Sequence, residues 1–276
     1  MVKLKNGYIA TNLQEALRIM KEEKVTPYGG GTDLMVEQKG KPTYLFLHKV
    51  AELKEIKQDK QYIKMGSEVT FTDIEQSNIA PQILKDAIAK LAAPAIRNFG
   101  TVGGNIGNGS AKADSALIFF VTDSFIHLKS IGSDRIIPIK QFYKKRKELD
   151  LKEGELIVEI LIPKKHLEHY YYKKIGARNS LAISRVSFAG LFDTQDGVIT
   201  HLATAFGAVE SMIVRHPEID DILIGKTIEE AKNLKNIYLE TYEKAIHPNA
   251  GRVSKEYRKT VCMNLLEDFL RQNGIS

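Results

Sequence analysis

The stretch Asn98-Phe99-Gly100-Thr101-Val102-Gly103-Gly104-Asn105-Ile106, running on to Asp114, constrains this chain more than any other. Glycine has no Cβ, so Gly103 and Gly104 admit left-handed backbone angles and close approach of a ligand. Successive N–H groups in such a turn would point into one concavity, which suits a phosphate. Thr101, Asn105 and Asn108 add neutral hydrogen-bonding side chains. Asp114 is too acidic for a phosphate but suits a sugar hydroxyl. A lone Gly-Gly pair would read as an ordinary turn. Here a second loop, Tyr28-Gly29-Gly30-Gly31-Thr32-Asp33-Leu34, lies upstream, and two such loops point to a ligand with two phosphates. No Lys follows the glycines as in a Walker loop, and the spacing is not Gly-x-Gly-x-x-Gly, so neither a P-loop nor a Rossmann fingerprint fits.

The 276 residues suffice for about two domains. No apolar run approaches the ~20 residues that span a bilayer. The start, Met1-Val2-Lys3-Leu4-Lys5-Asn6-Gly7, lacks the apolar core of a signal peptide, so a cytoplasmic location is expected. Cys262 is the single cysteine, which excludes an intrachain disulfide and an iron–sulfur cluster held by this chain alone. It falls in a helical pattern and reads as a small core residue. The seven histidines are scattered, with no zinc-binding pair. The net charge is +6, but lysines alternate with glutamates in Lys21-Glu22-Glu23-Lys24 and Lys54-Glu55-Ile56-Lys57. The one dense basic run, Lys144-Lys145-Arg146-Lys147, is followed at once by acids, which marks a solvated loop rather than a nucleic-acid patch.

Along the chain, Asn12-Leu13-Gln14-Glu15 is a helix start, with Leu13, Ala16, Leu17 and Met20 at helical spacing. Val25 to Tyr28 reads as a strand entering the first glycine loop, Asp33 to Glu37 as a short helix whose dipole would favour a phosphate, and Tyr44 to Leu47 as a second strand. This is a β-α-β unit with the ligand loop inside it. Tyr62 to Met65 is a strand and Thr72-Asp73-Ile74-Glu75 a capping signal. Pro81 opens a helix with the stripe Ile83, Leu84, Ala87, Ile88 and Leu91, which Pro94 ends. Ser115 to Val121 is an apolar, buried stretch behind the second loop. Phe125 to Leu128, Arg135 to Ile137 and Glu155 to Ile162 are strands, and Pro163 closes this part. Beyond it, Tyr170 to Tyr172, Val186 to Phe192 and Val198 to Phe206 read as three strands, with Asp196-Gly197 a hairpin turn. Helices follow at Ile228 to Leu234, Ile237 to Ala245 and Glu256 to Leu270.

Gly29-Gly30-Gly31-Thr32-Asp33-Leu34, and Ile96 to Ile106 with Asp114 after it, resemble the two flavin loops of one family. That family is the FAD-binding (medium) subunits of molybdenum hydroxylases: xanthine dehydrogenase, aerobic CO dehydrogenase and nicotinate dehydrogenase. Glu155 to Pro163, Lys174 with Arg178, Arg215-His216-Pro217-Glu218, Leu223-Ile224-Gly225-Lys226 and Ser254-Lys255-Glu256-Tyr257-Arg258 extend the resemblance over nearly the whole chain. It implies an α+β fold: a PCMH-type FAD-binding domain of two α+β subdomains over 1–163, and a smaller C-terminal α/β domain over 168–274, a three-stranded sheet with helices. Matched residue by residue, it puts Pro27, Tyr28, Gly29, Gly30, Gly31, Thr32, Asp33, Leu34, Thr101, Val102, Gly103, Gly104 and Asn105 around the FAD pyrophosphate. It puts Asn108 and Asp114 near the ribityl or ribose region, and Val158 and Lys174 beside the flavin ring or adenosine. Lys173 takes the place of Lys174 if the register slips by one; the plain alternative for Lys174 is a strand-edge lysine in solvent.

The sequence departs from the family at Asn249-Ala250-Gly251-Arg252, where an aspartate is common near Pro248, and it lacks the cysteine-rich insert of the flavin subunit of 4-hydroxybenzoyl-CoA reductase. The resemblance implies an oxidoreductase subunit with FAD, partnered by a 2Fe–2S subunit and a molybdopterin-binding subunit, passing electrons to NAD+ or another acceptor. No nucleic acid, membrane or metal is expected, and no catalytic acid or base. A self-contained PCMH-type flavin reductase and a basic nucleic-acid-binding protein stand as the alternatives.

Overall fold

The structure, a computed structural model, describes residues 2–4, 7–37, 42–178 and 181–276, with the backbone alone for 2–4. Met1, Lys5 and Asn6 of the amino-terminal stretch discussed above lie outside it. The described chain forms two compact units: Met1–Ala80, Ala92–Ser110 and Asp123–Lys164 make the first, and Pro81–Leu91, Ala111–Thr122 and Lys165–Ser276 the second. Helices and strands are mixed in both, the α+β arrangement expected. No helix among the described residues is long and apolar enough to cross a membrane.

The first unit holds two main sheets. One has four strands in the order Val2–Leu4, Gly7–Ile9, Tyr44–Phe46, Thr26–Tyr28, the first pair antiparallel and the others parallel. The helix Leu13–Glu22 connects two of its parallel strands, as a crossover of this kind requires. Asn12 caps that helix, its side chain accepting from the Glu15 N–H at 2.9 Å, and Glu15 reaches back to the Thr11 N–H at 2.7 Å. Ala16, Leu17 and Ile19 pack with Tyr8, Leu45, Leu47 and Val158 in one buried cluster. Each large aliphatic side chain buried there contributes roughly 1.5–3 kcal/mol. The second sheet is antiparallel, in the order Ile56–Gln58, Tyr62–Gly66, Leu156–Pro163, Phe125–Lys129, Asp134–Pro138. Leu156–Pro163 is its central strand, which explains why the segment is apolar at every position but Glu159 instead of alternating.

Several boundaries differ from the sequence reading. Residues 32–36 form hydrogen-bonded turns, not the short helix expected from Asp33: Met35 N bonds Gly31 O and Glu37 N bonds Asp33 O, and the pattern does not propagate. The capping box starts at Thr70, not Thr72, with Asp73 as its acid. Pro81 is the N-cap residue of Gln82–Ala89 and not its first helical residue. That helix ends at Ala89, and Pro94 starts a new turn, Pro94–Arg97, where its missing N–H costs nothing. The basic run is exposed within a two-stranded hairpin, Tyr143–Lys145 with Glu148–Leu149, and not in a plain loop; Lys144 pairs with Asp150 at 2.6 Å and Lys147 with Glu37.

The second unit is built on the antiparallel strands Tyr170–Ile175, Val186–Gln195 and Val198–Gly207. The turn residues Asp196 and Gly197 have φ of 52° and 77°, the doubly left-handed conformation that matches strand twist in a two-residue hairpin. Phe188, Phe206, Tyr238, Tyr242 and Phe269 fill its core. The helices expected at 228–234 and 237–245 are one, Ile228–Ala245, because no glycine or proline interrupts them and a Thr227/Glu230 capping box anchors the start. Lys255–Gln272 follows and carries the fully buried Cys262. The helices Gln82–Ala89 and Asp114–Val121 also belong to this unit, and all eight residues of the latter are buried. A helix apolar on every side must be enclosed on every side.

Candidate functional site

The first glycine loop leaves the strand Thr26–Tyr28, whose last ring packs on Tyr44 and Phe46 with centroids 5.4 and 4.9 Å away. Its three glycines are required for different reasons. Gly31 alone is left-handed, with φ of 71°, and a Cβ there would also meet the Tyr28 hydroxyl at 2.1 Å. A Cβ on Gly30 would lie 1.6 Å from the carbonyl oxygen of Phe99. One on Gly29 would lie 2.7 Å from Thr101 Oγ1 and 2.8 Å from Glu68 Oε1. Close packing against the second loop therefore selects two of the glycines and backbone conformation the third. The N–H groups of Gly29 to Leu34 donate to no acceptor among the described residues. A run of uncommitted backbone donors in one loop is a ready anion-binding surface.

The second loop behaves otherwise. Val102 N–H donates to Val69 O at 2.9 Å, Gly103 N–H to Ser67 O at 2.9 Å, Gly104 N–H to Thr101 Oγ1 at 3.1 Å and Asn105 N–H to Thr101 O at 3.0 Å. The expected concavity of free N–H groups at Gly103 and Gly104 is thus corrected. Thr101 caps a short helix, Val102–Gly107, and the strand end at Ser67 to Val69 takes the remaining donors. Neither Gly103 nor Gly104 has a positive φ. Gly103 is needed because a Cβ would strike Ser67 Cβ at 2.4 Å, whereas Gly104 would meet only Thr101 Oγ1, at 3.0 Å. The first loop supplies the donors and the second supplies the facing wall.

Between them lies a cavity of about 410 Å³, within the usual range for small-molecule sites. Of the residues singled out in the sequence, Pro27, Gly29, Gly30, Gly31, Thr32, Asp33, Leu34, Thr101, Gly103, Gly104, Asn105 and Asn108 line it. Asn108 Nδ2 donates to Asp33 Oδ2 at 2.7 Å, tying the two loops together. Tyr28 sits under the loop, Val102 is fully buried, and Val158 is 5% exposed within the core; none of the three is in the lining. Asp114 and Lys174 belong to the second unit and are each other's partners. Lys174 Nζ reaches Asp114 Oδ2 at 2.8 Å and Lys90 O at 2.8 Å, and Ser184 Oγ donates to Asp114 Oδ1 at 2.6 Å. Lys174 is therefore a buried lysine and not a solvated edge residue; the exposed one is Lys173.

The sequence reading missed Ser67, Glu68, Gly107, Leu151, Glu155 and Ile157, which also line the cavity. The only local signal was Gly66-Ser67-Glu68, small and polar residues where the strand Tyr62–Gly66 stops. Glu155 is bound by Arg135, whose Nε and Nη2 reach its two oxygens at 2.7 Å each, and that guanidinium holds the Glu155 carboxyl below its usual range. Burial pushes the Glu68 carboxyl up to about 7, opposed by the charge of Lys54.

Residues 4–165 match the family model described as the FAD binding domain in molybdopterin dehydrogenase, and residues 170–273 match that of the CO dehydrogenase flavoprotein C-terminal domain. The chain is 28% identical over 283 residues to the nicotinate dehydrogenase FAD-subunit of Eubacterium barkeri, with 94% of each chain covered. It is 25% identical over 260 residues to the xanthine dehydrogenase FAD-binding subunit of Escherichia coli O157:H7, with 90% of this chain and 89% of the relative covered. Its fold is similar to a chain of the cyanide-inactivated Cu,Mo-CO dehydrogenase, with a TM-score of 0.86 at 21% identity over 95% of both chains. It is equally similar to a chain of quinoline 2-oxidoreductase from Pseudomonas putida 86, with a TM-score of 0.85 at 21% identity over 99% of both.

Proposed function

The chain belongs to the family of FAD binding domains in molybdopterin dehydrogenases, and on that premise we propose that it is the electron-transfer subunit of a molybdenum hydroxylase, receiving electrons from the 2Fe–2S clusters of a partner chain and delivering them to NAD+ or another acceptor. The bound flavin supplies the redox chemistry. The carrying observation is the run of uncommitted N–H groups from Gly29 to Leu34, facing a wall of small residues across one cavity. That donor set suits a diphosphate.

In this reading Gly29, Gly30, Gly31, Thr32, Asp33 and Leu34 hold the FAD pyrophosphate through their backbone, and Pro27 fixes where the loop leaves its strand. Thr101, Gly103 and Gly104 form the opposite wall, with Asn105 and Asn108 offering amides to sugar hydroxyls. Tyr28, Val102 and Val158 support the site from behind. We assign Asp114 and Lys174 to holding their own unit together, since each already has partners there. The matched ranges 4–165 and 170–273 support reading 1–163 as the flavin domain and 168–274 as the C-terminal domain. A cytoplasmic setting suits an enzyme that uses such acceptors.

Partner chains follow from cysteine chemistry. Cys262 is the single cysteine, it is fully buried, and burial pushes its thiol up to about 12. The thiolate that ligates a cluster is strongly disfavoured there. A molybdopterin-binding subunit would carry the hydroxylation. The test is to purify the chain alone, confirm its FAD, and assay hydroxylation of purines, nicotinate and aldehydes with an artificial acceptor. No turnover is expected until the iron–sulfur and molybdenum chains are added. Robust turnover by this chain alone would end the subunit reading.

A further inference from the structure

The cavity is lined by four carboxylates, Asp33, Glu37, Glu68 and Glu155, and by no Lys, Arg or His among the described residues. This is an unexpected lining for a ligand that carries a diphosphate. Three of the four are accounted for within the chain. Arg135 binds Glu155, Lys147 pairs with Glu37, and Asn108 donates to Asp33. Glu68 is the exception. It is 6% exposed, and no donor or cation among the described residues reaches its carboxyl within hydrogen-bonding or ion-pair distance. Its Oε1 lies at the root of the first loop, 2.8 Å from where a Cβ on Gly29 would stand. Beside it Ser67, 4% exposed, has an Oγ without a hydrogen-bond partner.

An unpaired buried carboxylate next to a diphosphate would repel it, while the protonated acid would donate to it. Burying an isolated charge costs so much that such a group neutralises instead. We propose that Glu68 holds the cofactor as a neutral carboxylic acid, its O–H donating to a phosphate oxygen of FAD, so that loading above neutral pH takes up one proton from solvent. The proposal rests on the FAD reading of this cavity. Lys54, at the end of the turn Ala51–Leu53, is the charge that acts against protonation. Asp33, Glu37 and Glu155 share the cavity with partners of their own. Burial, which pushes the carboxyl up to about 7, acts in the direction required. Below that value the acid is protonated before FAD arrives and no proton is exchanged; above it the proton must come from solvent, which weakens binding by up to about tenfold per pH unit.

The experiment is calorimetric titration of FAD into the flavin-free full-length chain at about pH 6 and about pH 8.5, each in two buffers of different ionisation enthalpy. Uptake approaching one proton per FAD is expected at the higher pH and almost none at the lower, with Kd weakening between them. Glu68→Gln, which keeps a donor but cannot titrate, should bind FAD with no proton uptake and a flat pH profile. If that variant fails to fold, the wild-type proton count still decides. Riboflavin, which has no phosphate, should bind without uptake; uptake equal to that with FAD overturns the proposal. FAD binding with no uptake at either pH overturns the role of Glu68 and leaves the FAD reading standing. No FAD binding at either pH overturns both.

Discussion

The Cα of Gly30 packs so tightly on the carbonyl of Phe99 that a Cβ there would lie 1.6 Å from the oxygen. This contact joins the two glycine loops, and the obstacle is backbone, which cannot rotate away. Gly30→Ala should therefore force the loops apart. Overpacking typically costs about 1–3 kcal/mol, and the separation should also empty the site of FAD. Gly104→Ala, which meets only the Thr101 hydroxyl, should keep most of its flavin. Acid-released flavin and urea midpoints for the two variants check this. Equal flavin content in both would show that the loops do not meet as described.

Lys174→Met should destabilise the chain through Asp114. The pair is almost fully enclosed, with side-chain exposures of 9% and 5%. Removing one partner of a buried pair costs about 3–5 kcal/mol because the other charge is left unpaired. Adding Asp114→Leu to Lys174→Met should recover much of the loss. Chemical unfolding of the flavin-free chain measures both. A Lys174→Met variant as stable as wild type would contradict the pairing.

Arg135 gives a prediction in pH. Its hydrogen bonds lower the pKa of Glu155 from 4.5 and, with those of Lys144, bring Asp150 from 3.8 to about 2. Folded values below the unfolded ones mean that the stability these groups contribute is complete above about pH 4.5 and is lost as pH falls through the folded values. Arg135→Met should cost about 3–5 kcal/mol at neutral pH, because Glu155 is 1% exposed and would be stranded. The gap between variant and wild type should narrow as the medium is acidified below about pH 4.5. Paired unfolding curves across that range test it; a gap that stays constant in acid would rule out the linkage.

Much of this architecture was legible in the sequence because it is written in local patterns. Asn12 before an apolar periodicity, Asp196-Gly197 between strands, and the mostly apolar run to Pro163 each have one physical reading, and the structure has those elements. The two glycine loops were also legible, but the division of labour between them was not. Whether the N–H groups of Gly103 and Gly104 are free depends on the carbonyl of Ser67 and the hydroxyl of Thr101 reaching them. The first of these is a contact between segments 36 residues apart. Glu68 was invisible for the same reason: its isolation is a property of the fold, not of its neighbours in sequence. The helix expected after Asp33 failed because an acid and an apolar stretch suffice for a turn but not for propagation.

The central claim is that electrons cross into the flavin of this chain from a cluster-bearing partner. The most direct measurement mixes the FAD-loaded chain, in rapid flow and without oxygen, with the chemically reduced 2Fe–2S partner chain and follows flavin absorbance. The account predicts bleaching on mixing and return of the colour when NAD+ or another competent acceptor is added. Flavin that stays oxidised beside a reduced, bound partner chain would contradict it.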